Sequence, residues 1–210
     1  MTIEITPQDF LAHLEALSIS EEELIAELNW PHSAEAAPAG ESATEAEPER
    51  TLTVTWEDPL AGLPLRRRMG GREYLDRIVR GEVPPPPMAK LLDIDVVEIG
   101  EGRATFEGTP GEQHYNPIGV VHGGYVATLL DSAMGCAVET LQSAGTGYTT
   151  LELKVNFTRP LTVDTGRVLA EGIVVHAGSR VATAEARLFS ARTGKLLAHG
   201  TSTLLILGDR

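Results

Sequence analysis

A chain of 210 residues, 42% hydrophobic and 22% charged, has the composition of an ordinary globular protein, with room for one core domain and a shorter segment beside it. Its net charge of -13 is unevenly spread: residues 1–60 hold 14 of the 30 acidic side chains and one of the 17 basic ones, so residues 61–210 carry no net charge. The main domain thus lacks the positive field that drives phosphate-backbone binding, which argues against a nucleic-acid partner, and a single cysteine, Cys136, excludes a disulfide framework or a thiolate zinc centre.

In chain order, residues 1–30 read as a short helical hairpin. Thr6-Pro7-Gln8-Asp9 supplies a cap and a first-turn proline ahead of Phe10, Leu11, Leu14 and Leu17. Ser20-Glu21-Glu22-Glu23 has the capping-box form before Leu24, Ile25 and Leu28. Residues 31–50, with six Ala, five Glu and three Pro, read as a disordered acidic linker. The start of the chain has no basic segment followed by an apolar run, so no secretory signal is expected; the longest stretch without formal charge, 113–130, is too polar to span a membrane. A cytoplasmic protein with no membrane partner is the expectation.

Residues 51–90 form a lead-in. Thr51–Trp56 alternates like a strand, Arg72–Arg80 has a helical apolar face ended by Gly81, and Pro84 to Pro87 predicts an extended, rigid spacer. A regular domain follows over 91–208. Ile94–Ile99 and Arg103–Gly108 flank the turn Gly100-Glu101-Gly102, and Gly123–Leu141 is a helix apolar almost all round, which other elements must bury. Tyr148–Thr158 alternates strictly, with Leu151, Leu153, Val155 and Phe157 on one face and Thr150, Glu152, Lys154 and Asn156 on the other. The strands Arg167–His176, Val181–Phe189 and Leu196–Leu207 follow with short turns, predicting an antiparallel meander. The fold class is α+β, a sheet wrapped on one long helix.

The segment Asn116-Pro117-Ile118-Gly119-Val120-Val121-His122-Gly123-Gly124 runs directly into that helix. Gly123 and Gly124 allow close approach to first-turn N–H groups that have no helical acceptor, an arrangement suited to a carbonyl oxygen gaining negative charge. The same glycines would equally serve tight helix–sheet packing. Asp131 is the only formally charged residue between His122 and Glu139, and a carboxylate among Leu129, Leu130, Ala133 and Met134 calls either for local donors such as Thr128 or Ser132 or for a role as a base. Gly123 and Asp131 are eight residues apart, about 12 Å along one helix and about 80° around it. If both act on one atom, the helix start of one subunit must meet the carboxylate of another, which predicts an obligate homodimer. Cys136 reads as a buried inert thiol, and His114, His176 and His199 as isolated polar residues without triad or metal spacing.

Leu91 to Leu207 resembles the hotdog-fold acyl-CoA thioesterases of the phenylacetate-pathway (PaaI) type. The resemblance rests on the Asn116–Gly124 segment, on Thr128-Leu129-Leu130-Asp131-Ser132-Ala133-Met134-Gly135, and on Leu151-Glu152-Leu153-Lys154-Val155-Asn156-Phe157 followed by Arg159-Pro160. It implies that the Gly123 N–H holds the thioester oxygen, with Asn116 assisting, His122 orienting the loop and Gly124 beside the substrate. It implies that Asp131 of the partner subunit activates water or attacks the thioester carbon, that Thr150 positions the water, and that Arg159 and Arg180 lie near the CoA phosphates. The partners implied are acyl-CoA and further copies of the chain, as a dimer or a dimer of dimers; neither metal nor cofactor is implied. Two other readings stay open: a non-catalytic acyl-CoA sensor and a hotdog hydratase or dehydratase.

Overall fold

The apolar run of the sequence becomes the helix Gly123–Glu139, and its most apolar flank carries Leu129, Leu130, Ala133 and Met134, all without exposed surface. Burying each large aliphatic side chain of this kind contributes about 1.5–3 kcal/mol. The structure, a computed structural model, describes residues 49–208; the hairpin expected over 1–30 and nearly all of the linker over 31–50 lie outside them. Chain contacts divide between Thr51 and Leu52, and the unit from Leu52 onward contains everything that follows.

That unit contains α1 (Leu63–Arg66), α2 (Gly71–Val79), α3 (Pro87–Leu92), β1 (Ile94–Gly100), β2 (Arg103–Gly108), α4 (Gly123–Glu139), β3 (Gly147–Phe157), β4 (Val168–Ala177), β5 (Val181–Ser190) and β6 (Leu196–Leu207). One antiparallel sheet has the order β1-β2-β4-β5-β6-β3. Its inward face is lined by small residues, among them Ala170, Ala182, Ala184, Ala186 and Ala198, which lets α4 lie close against it. At Gly172 a Cβ would fall 2.3 Å from the Ala133 carbonyl oxygen, so helix and strand approach there to a distance only glycine permits. The α+β architecture, a sheet wrapped around one long helix, is as expected.

Four sequence expectations need correction. The meander is incomplete: β4, β5 and β6 are consecutive neighbours, but β3 sits on the far edge beside β6, and residues 158–167 carry the chain back so that β4 pairs with β2. Thr51–Trp56 is not a strand; Leu52 and Trp56 stay exposed, and alternation without a partner edge supplies no ladder. The proline run is extended only through Pro86, because Pro87 takes the first position of α3, where its missing N–H costs nothing. The central helix ends at Glu139, two residues early, and is not buried all round: Gly124, Ala127, Thr128, Asp131, Ser132 and Cys136 form a stripe that keeps some exposure.

The alternation of β3 also breaks, at a bulge between Thr150 and Glu152. Two residues there oppose one on β6, so the faces swap. Leu153 and Val155 turn toward the core as expected, Leu151 is 58% exposed, and Thr150 joins the core-facing side.

Candidate active site

The loop before α4 is held by its own polar groups. The Asn116 Oδ1 accepts from the N–H groups of Ile118 (3.0 Å) and Val120 (3.3 Å), while the Asn116 N–H donates to the Val120 carbonyl at 2.8 Å. Gly119, at φ +82°, makes the reversal that these bonds enclose. His122 is the N-cap of α4: its Nδ1 accepts from the Gly124 N–H at 2.8 Å. Gly124 is thereby engaged, and the Gly123 N–H is the first-turn donor that meets no acceptor among the described residues. The ring of Phe157 lies 3.1 Å from where a Gly123 Cβ would stand, packing that justifies a glycine independently of any substrate.

His114 is a residue the sequence misjudged. It is buried, stacks on Tyr125 with ring centroids 4.5 Å apart, and accepts the Gly111 N–H at its Nδ1 (3.0 Å), while its carbonyl takes the His122 N–H at 2.7 Å. Burial holds its imidazole below the usual histidine range, partly offset by the Asp93 carboxylate. It braces the loop from beneath. Contact between residues 114 and 125 depends on how loop and helix fold back on each other, which periodicity does not reveal.

Asp131 and Thr150 meet. The Thr150 hydroxyl donates to the Asp131 Oδ1 at 3.0 Å, made possible by the bulge that turns Thr150 inward, whereas Thr149 is exposed. The local donors weighed for a structural aspartate are not used this way: the Thr128 hydroxyl donates to the Gly124 carbonyl at 2.9 Å. Asp131 opens onto a cavity of about 330 Å³. Its floor is Asp131, Ser132 and Cys136 of α4 with Tyr148 of β3, one side is β1 and β2 through Val96 and Phe106, and the roof comes from the lead-in. Cys136 keeps part of its surface on this cavity, yet burial, with Glu139 and Asp131 adding to it, pushes its thiol up to about 12, which leaves it un-ionised at neutral pH. Tyr148 lies over Gly135, and burial raises its hydroxyl well above the usual tyrosine range. Among the described residues no group of three or more His, Cys, Asp or Glu side chains is placed to hold a metal.

The arginines stand at opposite ends of the chain's own sheet. Arg159 donates through its Nη1 to the Leu196 carbonyl at 2.8 Å, at the start of β6, while the Arg180 carbonyl accepts from Ile206 at the other end. Nine residues of strand separate these anchor points, about 30 Å. Gly123 lies at the Arg159 end beside Phe157, and Asp131 with Thr150 at the Arg180 end. Within one chain, then, the candidate residues form two groups.

Residues 118–197 match the thioesterase superfamily. Mouse acyl-coenzyme A thioesterase 13 is 32% identical over 119 residues, which cover 56% of this chain and 84% of that protein. A Saccharolobus solfataricus protein is 35% identical over 118 residues, covering 56% of this chain and 81% of its own. Among solved structures, a variant of the phenylacetic acid degradation protein PaaI from Thermus thermophilus is 30% identical, with a TM-score of 0.51 over 57% of this chain and 97% of that one. The chain belongs to the thioesterase superfamily, the hotdog-fold class of thioester hydrolases. Among the described residues no helix is long and apolar enough to cross a membrane.

Proposed function

We propose that this chain hydrolyses a small-to-medium or aromatic acyl-CoA to the free acid and CoA. The observation that carries the reading is a carboxylate, Asp131, bonded to the Thr150 hydroxyl on the floor of a largely apolar cavity in a thioesterase-superfamily chain. Asp131 takes a proton from a water molecule as the water oxygen bonds to the thioester carbon. The carbonyl electron pair moves onto oxygen, facing the Gly123 N–H. Collapse of this adduct breaks the C–S bond, and the proton held by Asp131 passes to the departing CoA sulfur. Thr150, occupying Oδ1, leaves the other carboxylate oxygen for the water. A thioester is already an activated acyl group, so an aimed donor and a positioned base balance the reaction without a cofactor.

The Gly123 N–H comes from a second copy, because it lies about 12 Å along the same helix from Asp131. Strand β3 is a sheet edge of 11 residues, and its Leu151 and Phe157 are exposed, as is Ile118 of the loop before α4. Antiparallel pairing of two such edges, centred on Lys154, would with the bulge set Thr150 opposite Phe157 of the partner subunit, and so bring Asp131 toward the partner's Gly123. The same twofold would gather Arg180 of one copy and Arg159 of the other at one site, within reach of the CoA phosphates. Asn116 and His122 serve by shaping the loop that presents Gly123, with Gly124 beside it. The lone, un-ionised Cys136 fits a cytoplasmic setting.

Incubation with acyl-CoAs and a thiol reagent tests the reading. Release of CoA is expected, falling about 10²–10⁴-fold in Asp131→Asn. Undiminished release in that variant would overturn the role of Asp131, and tight binding without release would favour the sensor reading.

A further inference from the structure

The roof of the cavity lies wholly before residue 118, where the match to the superfamily begins. It consists of the turn over 58–62, the inner face of α2 (Tyr74, Leu75 and Ile78), the prolines 84–86, and the start of α3 at Met88 and Ala89. This cover is fixed, not loosely draped. Arg66, 12% exposed, forms an ion pair with Glu139, 10% exposed, at the end of α4, and also donates to the carbonyls of Met69 and Thr146. The Gly71 N–H donates to the Gln142 carbonyl at 2.9 Å, and a Cβ on Gly71 would strike the Glu139 carbonyl oxygen. Within the cover itself, Leu75 and Val83 are buried.

Because this cover faces Asp131 across the cavity, whatever group is attached to the scissile carbonyl and turned away from CoA must fit between them. Apart from Asp131, the charged side chains lining the space are Asp58 and Asp95, so a terminal carboxylate would meet like charge. Resting on the thioesterase reading above, we propose that residues 58–89 are an acyl-selecting cap. Ile78, Pro85 and Met88 admit a neutral apolar acyl group and refuse longer or carboxylate-ended ones. At about 30 Å³ per water-sized group, the space of about 330 Å³ accepts about ten carbons, a linear medium chain or one aromatic ring with a short arm.

The test uses the full chain and its Ile78→Trp and Ile78→Ala variants, with CoA esters from butyryl to palmitoyl, phenylacetyl-CoA and succinyl-CoA. Ile78 is half-buried on the cavity side, so both variants should keep the fold, as thermal unfolding checks. In Ile78→Trp, kcat/KM for octanoyl-CoA and phenylacetyl-CoA is expected to fall about tenfold or more while that for butyryl-CoA changes less than about threefold; Ile78→Ala moves the best substrate about two carbons longer. Uniform changes along the series, or a wild-type preference for palmitoyl-CoA or succinyl-CoA, would overturn the cap. Calorimetry in an Asp131→Asn background separates this inference from the one it rests on. Octanoyl-CoA should bind more tightly than CoA, and Ile78→Trp should remove the difference. That result together with absent hydrolysis by the wild type would sink the hydrolytic reading and leave the cap standing, whereas octanoyl-CoA bound no more tightly than CoA would sink the cap.

Discussion

Asp131 and Thr150 are one chemical unit, and the hydroxyl's contribution is measurable apart from the carboxylate's. Thr150→Ala removes one donor to a charged acceptor, so kcat should fall about tenfold, well short of the effect of Asp131→Asn, while Thr150→Ser should restore most of it; acyl-CoA kinetics on the three variants check the ordering. His114 gives a stability prediction. Its folded pKa lies below the unfolded value, so above about pH 6.5 both states are neutral and nothing is lost. As pH falls through that value the unfolded chain binds the proton first, and stability drops by at most about 1.4 kcal/mol per pH unit. Urea unfolding at pH 7.5, 6.5 and 5.5 should show this loss, with His114→Phe, which keeps a ring against Tyr125, flattening it. The sequence marked Asp131 because a charge inside an apolar helix is conspicuous. It could not mark His114, whose burial is created by a contact across the loop, and it placed Thr150 on the wrong face because strict alternation has no symbol for a bulge.

At the scale of elements, strands and helices from 94 onward were legible in their alternation, caps and glycine turns, within a residue or two at most ends. Strand order was not, since a sequence of alternating segments is equally compatible with β3 beside β4 or beside β6. In the lead-in, the helix read over Arg72–Arg80 is α2, whereas α1 went unread because its position comes from a distant partner, Glu139, rather than from local pattern. Removing one member of the Arg66–Glu139 pair should therefore be costly. Arg66→Met strands a buried carboxylate and is expected to lower unfolding free energy by about 3–5 kcal/mol, whereas Arg66→Met combined with Glu139→Leu should recover most of that loss in urea titration.

For the whole molecule, the proposed reaction joins two groups of candidate residues at opposite ends of the sheet, which would make the active site a property of a pair. Gly123→Pro deletes the first-turn N–H at a helix position whose backbone suits proline, with the exposed Phe157 ring giving way by a few tenths of an ångström, and Asp131→Ala deletes the proposed base. Each variant alone should be nearly inactive. Mixed in equal amounts and allowed to exchange subunits, half of the dimers would hold one intact site of two, so about a quarter of wild-type CoA release is expected. No recovery despite demonstrated exchange would place both groups in the same chain's site. Sequence spacing suggested this pairing, through the pitch of the helix; the edge strand that would join the copies emerged only with the sheet order.

The Arg66–Glu139 pin fastens the cap to the helix that carries Asp131, so cap and acid are two jaws of a caliper cut from a single piece. The gap between them does not depend on how one copy sits against another. Under the proposals above, mutations at the joint between copies would change how fast the molecule turns over but not which tail it prefers, and tail preference could be re-engineered inside one chain without disturbing the assembly.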